Sequence, residues 1–382
     1  MPGSERSGRY VARATGYRAF IPAPLPPHPP VRIDADLLAQ LSLADQALGR
    51  LDGISPLLPN PDLFVSMYVR REAVLSSQIE GTRSTLEDVL TFELDPSGRE
   101  VPPDIGEVVN YIRAMNHGLA RLATLPLSLR LIREIHAELL SDVEGAASKR
   151  PGAFRESQNW IGPAGITLAR ATYVPPPVAE MHQALDNLER FLHAPQGLPA
   201  LLRCGIVHAQ FEMIHPFLDG NGRVGRLLNT LLLVHGAVLH QPLLYLSLYL
   251  KRHQAEYYAR LRAVHDEGDW EGWLLFFLRG VRQTAHEATE TAGAIVTLRE
   301  QHRLLLHESN AGRYSLPLLD LLFRQPLVHV PLVQQRLGIR FKAANTLVAK
   351  CVALCILEET TGGQRNRRFR YTPYLDLFQE EP

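Results

Sequence analysis

Cysteine is scarce in this sequence, and neither sign of charge dominates. Only three of the 382 residues are cysteines, at positions 204, 351 and 355. The odd count, with no CxxC pair or neighbouring histidine pair, argues against a disulfide framework or a metal site, so we expect reduced core thiols. Cys351 and Cys355 are four residues apart, which predicts one buried helix face. Lysine plus arginine equal aspartate plus glutamate at 40 each, so bulk charge favours neither nucleic acid nor a membrane.

Long apolar segments are also missing. No run of about eighteen apolar residues is present that would cross a bilayer. The start, MPGSERSGRYVARA, is basic and lacks the apolar stretch of a secretory signal. The Gly-Lys-Ser/Thr end of a Walker phosphate loop does not occur. These absences predict a cytoplasmic protein without a membrane partner.

Composition divides the chain into four parts. Its 382 residues suit two or three domains. Residues 1–33 contain APLPPHPP, which excludes a helix and predicts an extended arm, a plain leader rather than a docking site for a proline-reading partner. Residues 34–103 have apolar side chains at helical spacing and predict an N-terminal helical segment. Residues 104–300 predict a larger helical domain, and the composition changes again in residues 301–382.

The N-terminal helical segment carries a short polar pattern near the end of its second predicted helix. Ser76 and Glu80 are one turn apart and project from the same side, and Gly81 follows as a left-handed cap. Taken alone, this pattern is typical of a surface pair beside a helix end. Ser84 and Glu87 then form a capping box that predicts the start of a third helix.

The most informative stretch runs from His215 to Arg226 and reads HPFLDGNGRVGR. His215 can take a proton near neutral pH, and Asp219 offers the carboxylate oxygen that magnesium prefers. From Gly220 onward a small, flexible backbone enters a predicted helix, whose N-terminal N–H groups attract anions. Arg223 and Arg226 share one face of that helix. These residue types in this order predict a site for a nucleotide polyphosphate.

A competing pattern overlaps the same residues. Gly220-x-Gly222-x-x-Gly225 has the spacing of a dinucleotide-binding loop, but that loop needs a strand before its first glycine. The preceding LPALLRCGIVHAQFEMI has helical spacing instead. We therefore disfavour the dinucleotide interpretation.

Two features after this stretch concern packing. RLLNTLLLVHGAVL is apolar nearly all round, which predicts the central helix of the domain, with Asn229 as a satisfied core amide. Tyr257 and Tyr258 point about 100° apart on a helix, so at most one of them packs fully inward.

The stretch resembles the signature of the Fic family, His-x-Phe-x-Asp/Glu-Gly-Asn-Gly-Arg-x-x-Arg, at every fixed position. The resemblance implies a nucleotidyltransferase that moves AMP from ATP to a Ser, Thr or Tyr hydroxyl of a protein, itself included. It implies His215 as the catalytic base and Asp219 as the Mg²⁺ ligand. The implied nucleotide-binding residues are Gly220, Asn221, Gly222, Arg223, Val224, Gly225, Arg226 and Tyr258.

The upstream pattern resembles the inhibitory helix of Fic proteins, Ser/Thr-x-x-x-Glu-Gly/Asn, in the class where this helix precedes the signature. The resemblance implies that Ser76, Glu80 and Gly81 form an inhibitory element. A carboxylate against Arg226 would pair with it bidentately. The arginine would then be lost to the terminal phosphate, and the bond to be broken would be misaligned.

Residues between the predicted helices of the domain suggest a flap. ITLA and ATYV predict a short β-hairpin, which in the family holds a target segment by strand addition. A surface loop is the alternative.

The last region resembles the winged helix that Fic proteins of this class often carry. A basic patch in it contains Arg365, Arg367, Arg368 and Arg370. The helix expected to read bases offers only Lys342, Asn345 and Lys350, so we favour a protein-interaction module over DNA binding.

The predicted fold is mainly α: a Fic-type helical domain with a short β-hairpin flap, an N-terminal helical segment and a C-terminal winged-helix domain. Three alternatives to AMP transfer remain open. The first is transfer of another nucleotide, a phosphate or phosphocholine, and the second is removal of AMP with Glu80 positioning a water. The third is a DNA-binding regulator that acts through the winged helix and has a vestigial site. The sequence leaves the target protein and the oligomeric state open.

Overall fold

The structure is a computed structural model that describes residues 4–13, 16–54, 61–96, 102–142, 145–163, 165–194, 197–363 and 366–378. Helices dominate it, so the predicted mainly α fold is confirmed. None of the helices in these ranges is long and apolar enough to cross a membrane. In chain order the helices are α1 (Ala35–Ile54), α2 (Pro61–Ile79), α3 (Leu86–Leu94), α4 (Ile105–Leu122), α5 (Leu129–Leu139), α6 (Ala146–Lys149), α7 (Val178–His193), α8 (Ala200–Ile214), α9 (Asn221–His235), α10 (Ser247–Arg252), α11 (Gln254–Glu267), α12 (Trp270–Glu308), α13 (Ser315–Arg324), α14 (Val330–Leu337), α15 (Phe341–Ala353) and α16 (Thr372–Leu375).

Two small antiparallel sheets accompany the helices. The first is a hairpin near the N-terminus, and the second has three strands in the order β3-β5-β4. The strands are β1 (Gly8–Ala12), β2 (Arg18–Pro22), β3 (Leu327–His329), β4 (Glu358–Glu359) and β5 (Arg368–Arg370).

The N-terminal arm is not a plain leader, and that prediction was wrong. Its β1–β2 hairpin buries Phe20 completely, beside the rings of Tyr173 and His265. Arg6 forms an ion pair with Glu271 of α12 at 2.6 Å. The prolines favoured an extended leader. On either side of the turn, however, apolar and polar residues alternate over a short stretch, as in a half-buried strand.

Helix α9 is the centre of the helical domain, as predicted. Its side chains are buried almost without interruption from Val224 to Leu233, and it packs against α4, α5 and α8. The Asn229 amide is satisfied, because its Nδ2 lies 3.1 Å from His208 Nδ1 and its Oδ1 accepts from Cys204 at 3.5 Å. This helix therefore sets a rigid axis whose N-terminus carries the signature residues.

Two local predictions in the N-terminal helical segment have different outcomes. Gly81 has a φ of +103°, as expected of a left-handed cap after α2. The capping box of α3 lies one residue later than predicted, because Thr85 Oγ1 accepts from the Asp88 N–H and Asp88 accepts from the Thr85 N–H. Ser84 instead donates its hydroxyl to Asp104 at 2.6 Å, so it is not available as a cap.

The predicted flap strands ITLA and ATYV do not pair. Among the described residues of this segment, the pairing is a single antiparallel bridge between Ile161 and Tyr173, and residues Leu168–Arg170 form a 3₁₀ turn. Pro163 would be next on the bonded edge but has no N–H to donate. The ladder therefore stops after one pair, and the segment is a loop closed at its base.

The C-terminal region begins within one continuous helix. Helix α12 runs through 39 residues, from Trp270 to Glu308, so the predicted boundary at residue 300 falls inside it. The elements that follow are α13, β3, α14, α15, β4 and β5. Cys351 is buried in α15, whereas Cys355 is exposed beyond its end at a φ of +56°. The two cysteines therefore do not share a buried helix face, contrary to the prediction.

Candidate active site

The C-terminal end of α2 holds the guanidinium of Arg226. Arg226 Nη2 lies 2.6 Å from Glu80 Oε1 and 3.0 Å from the Ser76 carbonyl oxygen, while Nε donates to Ser76 Oγ at 2.8 Å. The expected contact between Glu80 and Arg226 is therefore present, but it is not bidentate, because Ser76 occupies the second position of the fork. Ser76 and Glu80, which are one helical turn apart, therefore both bind the Arg226 guanidinium.

Charge and burial reinforce this pair. The Arg226 side chain is only 1% exposed, against 38% for Glu80. Burial favours a neutral Glu80, yet the adjacent Arg226 outweighs it and holds the pKa of Glu80 below its usual value. For Arg226 too, burial opposes the charge, and the Glu80 carboxylate prevails, so the pKa of Arg226 is raised. Both groups are charged at neutral pH.

The Glu80 carboxylate also stands over the start of α9. Gly220 precedes the helix at a φ of +77°, and the first N–H groups of α9, those of residues 221–223, have no partner within the helix. A Cβ atom added to Gly222 would lie 2.3 Å from Glu80 Oε1. The absence of a side chain at Gly222 therefore lets a carboxylate reach a place where helix N–H groups favour an anion.

Two more ion pairs involve the remaining charges of the signature. Arg223 Nη1 lies 2.6 Å from Glu107 Oε2 of α4, and Asp219 Oδ2 lies 2.7 Å from Lys149 Nζ of α6. Burial works against the charge of Asp219, but Lys149 and Arg223 outweigh it and lower the pKa of Asp219. Together with the pair between Glu80 and Arg226, these contacts give each of Asp219, Arg223 and Arg226 a partner of opposite charge.

His215 follows α8 directly and is half-buried. Its backbone is left-handed, with a φ of +49°, which turns the chain from α8 into the loop. Arg155 fixes this turn by donating to the carbonyl oxygen of His215 at 3.0 Å. Burial, followed by the charge of Arg155, lowers the pKa of His215 to about 4. The imidazole is therefore neutral at pH 7, the state that accepts a proton.

The loop between His215 and α9 is held by side chains rather than by a sheet. Asn221 accepts from the Phe217 N–H and donates to the Phe217 carbonyl, each at 2.8 Å. His136 Nδ1 accepts from the Gly152 N–H at 2.9 Å, so its proton resides on Nε2, which donates to the Asp219 carbonyl at 3.1 Å. These bonds fix the direction of the helix N-terminus before any ligand arrives.

Three residues expected to bind the nucleotide have other tasks in this geometry. The buried Asn221 amide bonds Phe217 through both its oxygen and its nitrogen. Val224 is buried, and its N–H donates to the Gly220 carbonyl at 3.0 Å. Gly225 lies inside the helix, where a Cβ atom would be 2.4 Å from Glu212 Oε1. Their assignment to the nucleotide stays a prediction, and for Asn221 it depends on the backbone N–H at the start of α9 rather than on the side chain.

Tyr257 and Tyr258 divide as predicted. Tyr257 is buried beside His208, and Tyr258 is 46% exposed, with its ring centroid 5.1 Å from that of Tyr257. Burial, followed by the charge of Glu80, raises the pKa of Tyr258, so its ring lies within electrostatic reach of the pair between Glu80 and Arg226. An exposed ring here suits a place beside a nucleoside, and that role stays a prediction.

Sequence reasoning missed several residues of the site. Glu72 precedes Ser76 by one turn, accepts from the Ser247 hydroxyl, and has a pKa that burial raises to about 7. Glu212 lies near Arg226, and burial raises its pKa to about 7 as well. Arg155 was not among the predicted site residues, and Glu107 and Lys149 carry no local pattern. Only the packing of α4 and α6 against the loop brings them to the site.

The donor set fits a magnesium ion only in part. Among the described residues no group of three or more His, Cys, Asp or Glu side chains converges to hold a metal. Mg²⁺ in nucleotide sites is often held by one or two carboxylates together with substrate phosphates, and Asp219 supplies one carboxylate. The Lys149 ammonium, 2.7 Å from Asp219, occupies a position suited to a cation. Asp219 therefore fits a phosphate-bridged cation once Lys149 moves aside.

Comparisons with known proteins identify relatives of this chain. It is 29% identical to "Protein adenylyltransferase Fic" of Drosophila grimshawi over 205 residues, which are 52% of this chain and 38% of that protein. It is 30% identical to the protein of the same name from Aedes aegypti over 200 residues, 51% of this chain and 35% of that one. The matched part is thus little more than a third of the length of either relative.

A solved structure and two family profiles agree with these relatives. The fold is similar to that of a Fic family protein from Desulfovibrio desulfuricans, with a TM-score of 0.58 and 20% sequence identity over 90% of this chain and 97% of that one. This likeness shows a shared fold. The profile described as "Fic/DOC family N-terminal" matches residues 38–120, and "Fic/DOC family" matches residues 126–233. The chain belongs to the Fic/DOC family.

Proposed function

We propose that this protein is an adenylyltransferase that moves AMP from ATP to a hydroxyl side chain of a protein, and that Glu80 holds it inactive. One observation carries the proposal: a single short loop joins His215, whose imidazole is neutral, to the start of α9, where helix N–H groups favour an anion. The activity named for the relatives in Drosophila grimshawi and Aedes aegypti supports the choice of AMP.

His215 would act as the general base. It removes the proton from a Ser, Thr or Tyr hydroxyl of the target as the hydroxyl oxygen attacks the α-phosphorus of ATP. A P–O bond to the target forms, the bond to pyrophosphate breaks, and pyrophosphate leaves with the electron pair. The N–H groups of residues 221–223 and the two guanidiniums of Arg223 and Arg226 would hold the phosphates in line for this attack.

Asp219 would hold Mg²⁺ together with the phosphates, once the Lys149 ammonium moves away from the Asp219 carboxylate. The ion would neutralise charge on the phosphates as pyrophosphate leaves. The loop bonds from His136 and Asn221 keep Asp219 close to the start of α9, where those phosphates would lie.

Inhibition would follow from competition for one anion site. Glu80 places a carboxylate both on Arg226 and over Gly222, so a terminal phosphate and this carboxylate cannot use the same N–H groups together. A nucleotide that bound with Glu80 still in place would have its α-phosphorus out of line with the attacking oxygen. Removal of the Glu80 side chain restores the site without altering the base or the loop.

Intact-protein mass spectrometry tests the proposal. The Glu80→Gly protein incubated with Mg·ATP should gain the mass of AMP, and the Glu80→Gly/His215→Ala protein should gain none. Parallel incubations with other nucleoside triphosphates separate AMP transfer from transfer of another nucleotide or of a phosphate. Loss of AMP from an already modified protein would identify the reverse reaction instead. A modification by ATP that survives His215→Ala would remove His215 from the mechanism.

A further inference from the structure

The basic patch of Arg365, Arg367, Arg368 and Arg370 lies in residues 362–375, the predicted wing, and its described arginines are already paired. Arg367 lies 2.6 Å from Glu359, Arg368 lies 3.4 Å from Asp95, and Arg370 lies 3.7 Å from Asp376. Arg365, the fourth arginine of the predicted patch, lies outside the described residues. Paired guanidiniums add little net positive potential at a surface, so the wing is a poor phosphate site.

A different face of the same region carries cations that form no ion pair with the described residues. A groove of about 550 Å³ separates the turn before α13 from helix α15. No carboxylate is among its described lining residues, and four of them are cations: Arg313, Arg340, Lys342 and Lys350. Within the described ranges, none of the ion pairs involves any of these four. The groove is therefore a local positive surface on a chain whose net charge is zero.

Helix α15 presents one exposed polar face beside this groove. Lys342, Asn345, Thr346 and Ala349 lie at helical spacing and are all exposed, while the opposite face is buried against the rest of the region. A helix of 13 residues is about 20 Å long and about 10–12 Å wide. The major groove of B-DNA, about 12 Å wide, admits such a helix.

The side chains of this face match what a base edge and a backbone offer. Asparagine can bond adenine in a bidentate manner, lysine can donate to guanine, and threonine and alanine can contact the thymine methyl group. Arg313 and Arg340 stand beside the uncapped N-termini of α13 and α15, where backbone N–H groups also favour phosphate. Position and chemistry therefore both point to a polyanion with regular phosphates.

We infer that the α15 groove binds duplex DNA, with Arg313, Arg340 and Lys350 on phosphates and Lys342 and Asn345 toward base edges. A protein partner fits less well, because lysine is depleted at the centre of protein interfaces, whereas phosphate contacts are made chiefly by lysine and arginine. The wing then has a structural task, since Arg368 ties it to the Fic N-terminal segment through Asp95.

Fluorescence anisotropy tests this inference with the full chain and a labelled random-sequence duplex of about 20 base pairs, two helical turns. With three phosphate contacts, the slope of log affinity against log salt should be about −2.7, so affinity should fall about 40-fold between 50 and 200 mM salt. The Arg340→Glu/Lys342→Glu protein should bind at least 10-fold more weakly, with the magnitude of the slope reduced by about 1 for the phosphate contact of Arg340.

The matched control is Arg279→Glu/Arg282→Glu on α12. Both arginines are exposed, and the double change alters the net charge by the same amount as the groove variant. This control should keep wild-type affinity. Equal weakening in both proteins would show a response to net charge alone, and no binding at 50 mM salt would overturn the inference. Binding of an acidic peptide of equal charge in preference to the duplex would assign the groove to a protein partner.

Discussion

The active site and the α15 groove both collect cations, but only the active site pairs them. Arg226 is almost fully buried and needs a counter-charge, because an unpaired buried guanidinium costs several kcal/mol. Glu80 supplies that charge at 2.6 Å, and the proposed function assigns inhibition to the same contact. Exposed Arg340 and Lys342 carry no such cost, since water solvates them. The two proposals differ in the same way: the paired Arg226 belongs to the site proposed to be held inactive, and the exposed cations belong to the groove proposed to bind DNA.

Removal of the base is expected to have the largest effect. In the Glu80→Gly background, His215→Ala should lower the rate of AMP transfer about 10²–10⁴-fold, the usual contribution of general base catalysis. ATP affinity should stay within about 3-fold, because His215 does not hold the phosphates in the proposed geometry. Transfer of radiolabelled AMP and ATP titration measure the two quantities. His286→Ala, on an exposed histidine of α12, is the control and should change neither. An equal loss of binding and rate would reveal a binding role instead.

Breaking the inhibitory pair should raise activity by a smaller factor. Glu80→Gly is expected to increase AMP transfer at least about 10-fold, because one charge-assisted bond to Arg226 is worth about 1.5–3 kcal/mol. Glu80→Gln should fall between wild type and Glu80→Gly, since its amide oxygen still accepts from Arg226 but carries no charge. The initial rates of the three proteins with Mg·ATP provide the ranking. If Glu80→Gln were as inactive as wild type, shape rather than charge would explain inhibition.

The second ion pair should have a weaker effect, confined to nucleotide affinity. Glu107→Gln removes the charge that lies 2.6 Å from Arg223, and the freed guanidinium should lower the KM for ATP by about 2–5-fold in the Glu80→Gly background. Glu138→Gln, on the neighbouring helix α5 and paired with Arg113, is a matched control that should leave the KM unchanged. An increase of the KM in Glu107→Gln would show that Glu107 orients Arg223 for phosphate rather than competing with it.

Sequence patterns anticipated the site where its residues are neighbours along the chain. The signature fixed His215, Asp219 and Arg226 in order, and a 3.6-residue period placed Ser76 and Glu80 on one side of α2. No pattern joined Glu107 or Lys149 to the signature. Glu107 lies 116 residues before its partner Arg223, and Lys149 lies on a different element from its partner Asp219. Such contacts depend on helix packing, which local periodicity does not encode.

The predictions of a basic patch in the wing and of a paired flap missed the observed contacts for a related reason. Arginine content predicted a basic wing, yet Asp95, far away in the sequence, partners Arg368, so composition overstated the local charge. The ITLA and ATYV segments have strand-like composition, but Pro163 ends the pairing after Ile161. In both places a residue outside the recognised pattern decided the outcome.

The smallest expected effect is the pH dependence of the pair between Glu80 and Arg226. The pKa of Glu80 lies below its usual value because Arg226 outweighs burial, so the pair is complete above the unfolded pKa of about 4.5 and is lost only as pH falls through the lower folded value. The ratio of Glu80→Gly to wild-type activity should therefore change less than about 2-fold between pH 8 and pH 5.5. His215, with a pKa near 4, stays neutral in both proteins over this range. A ratio that collapses below pH 7 would instead implicate Glu212, whose pKa is about 7, as the carboxylate that governs Arg226.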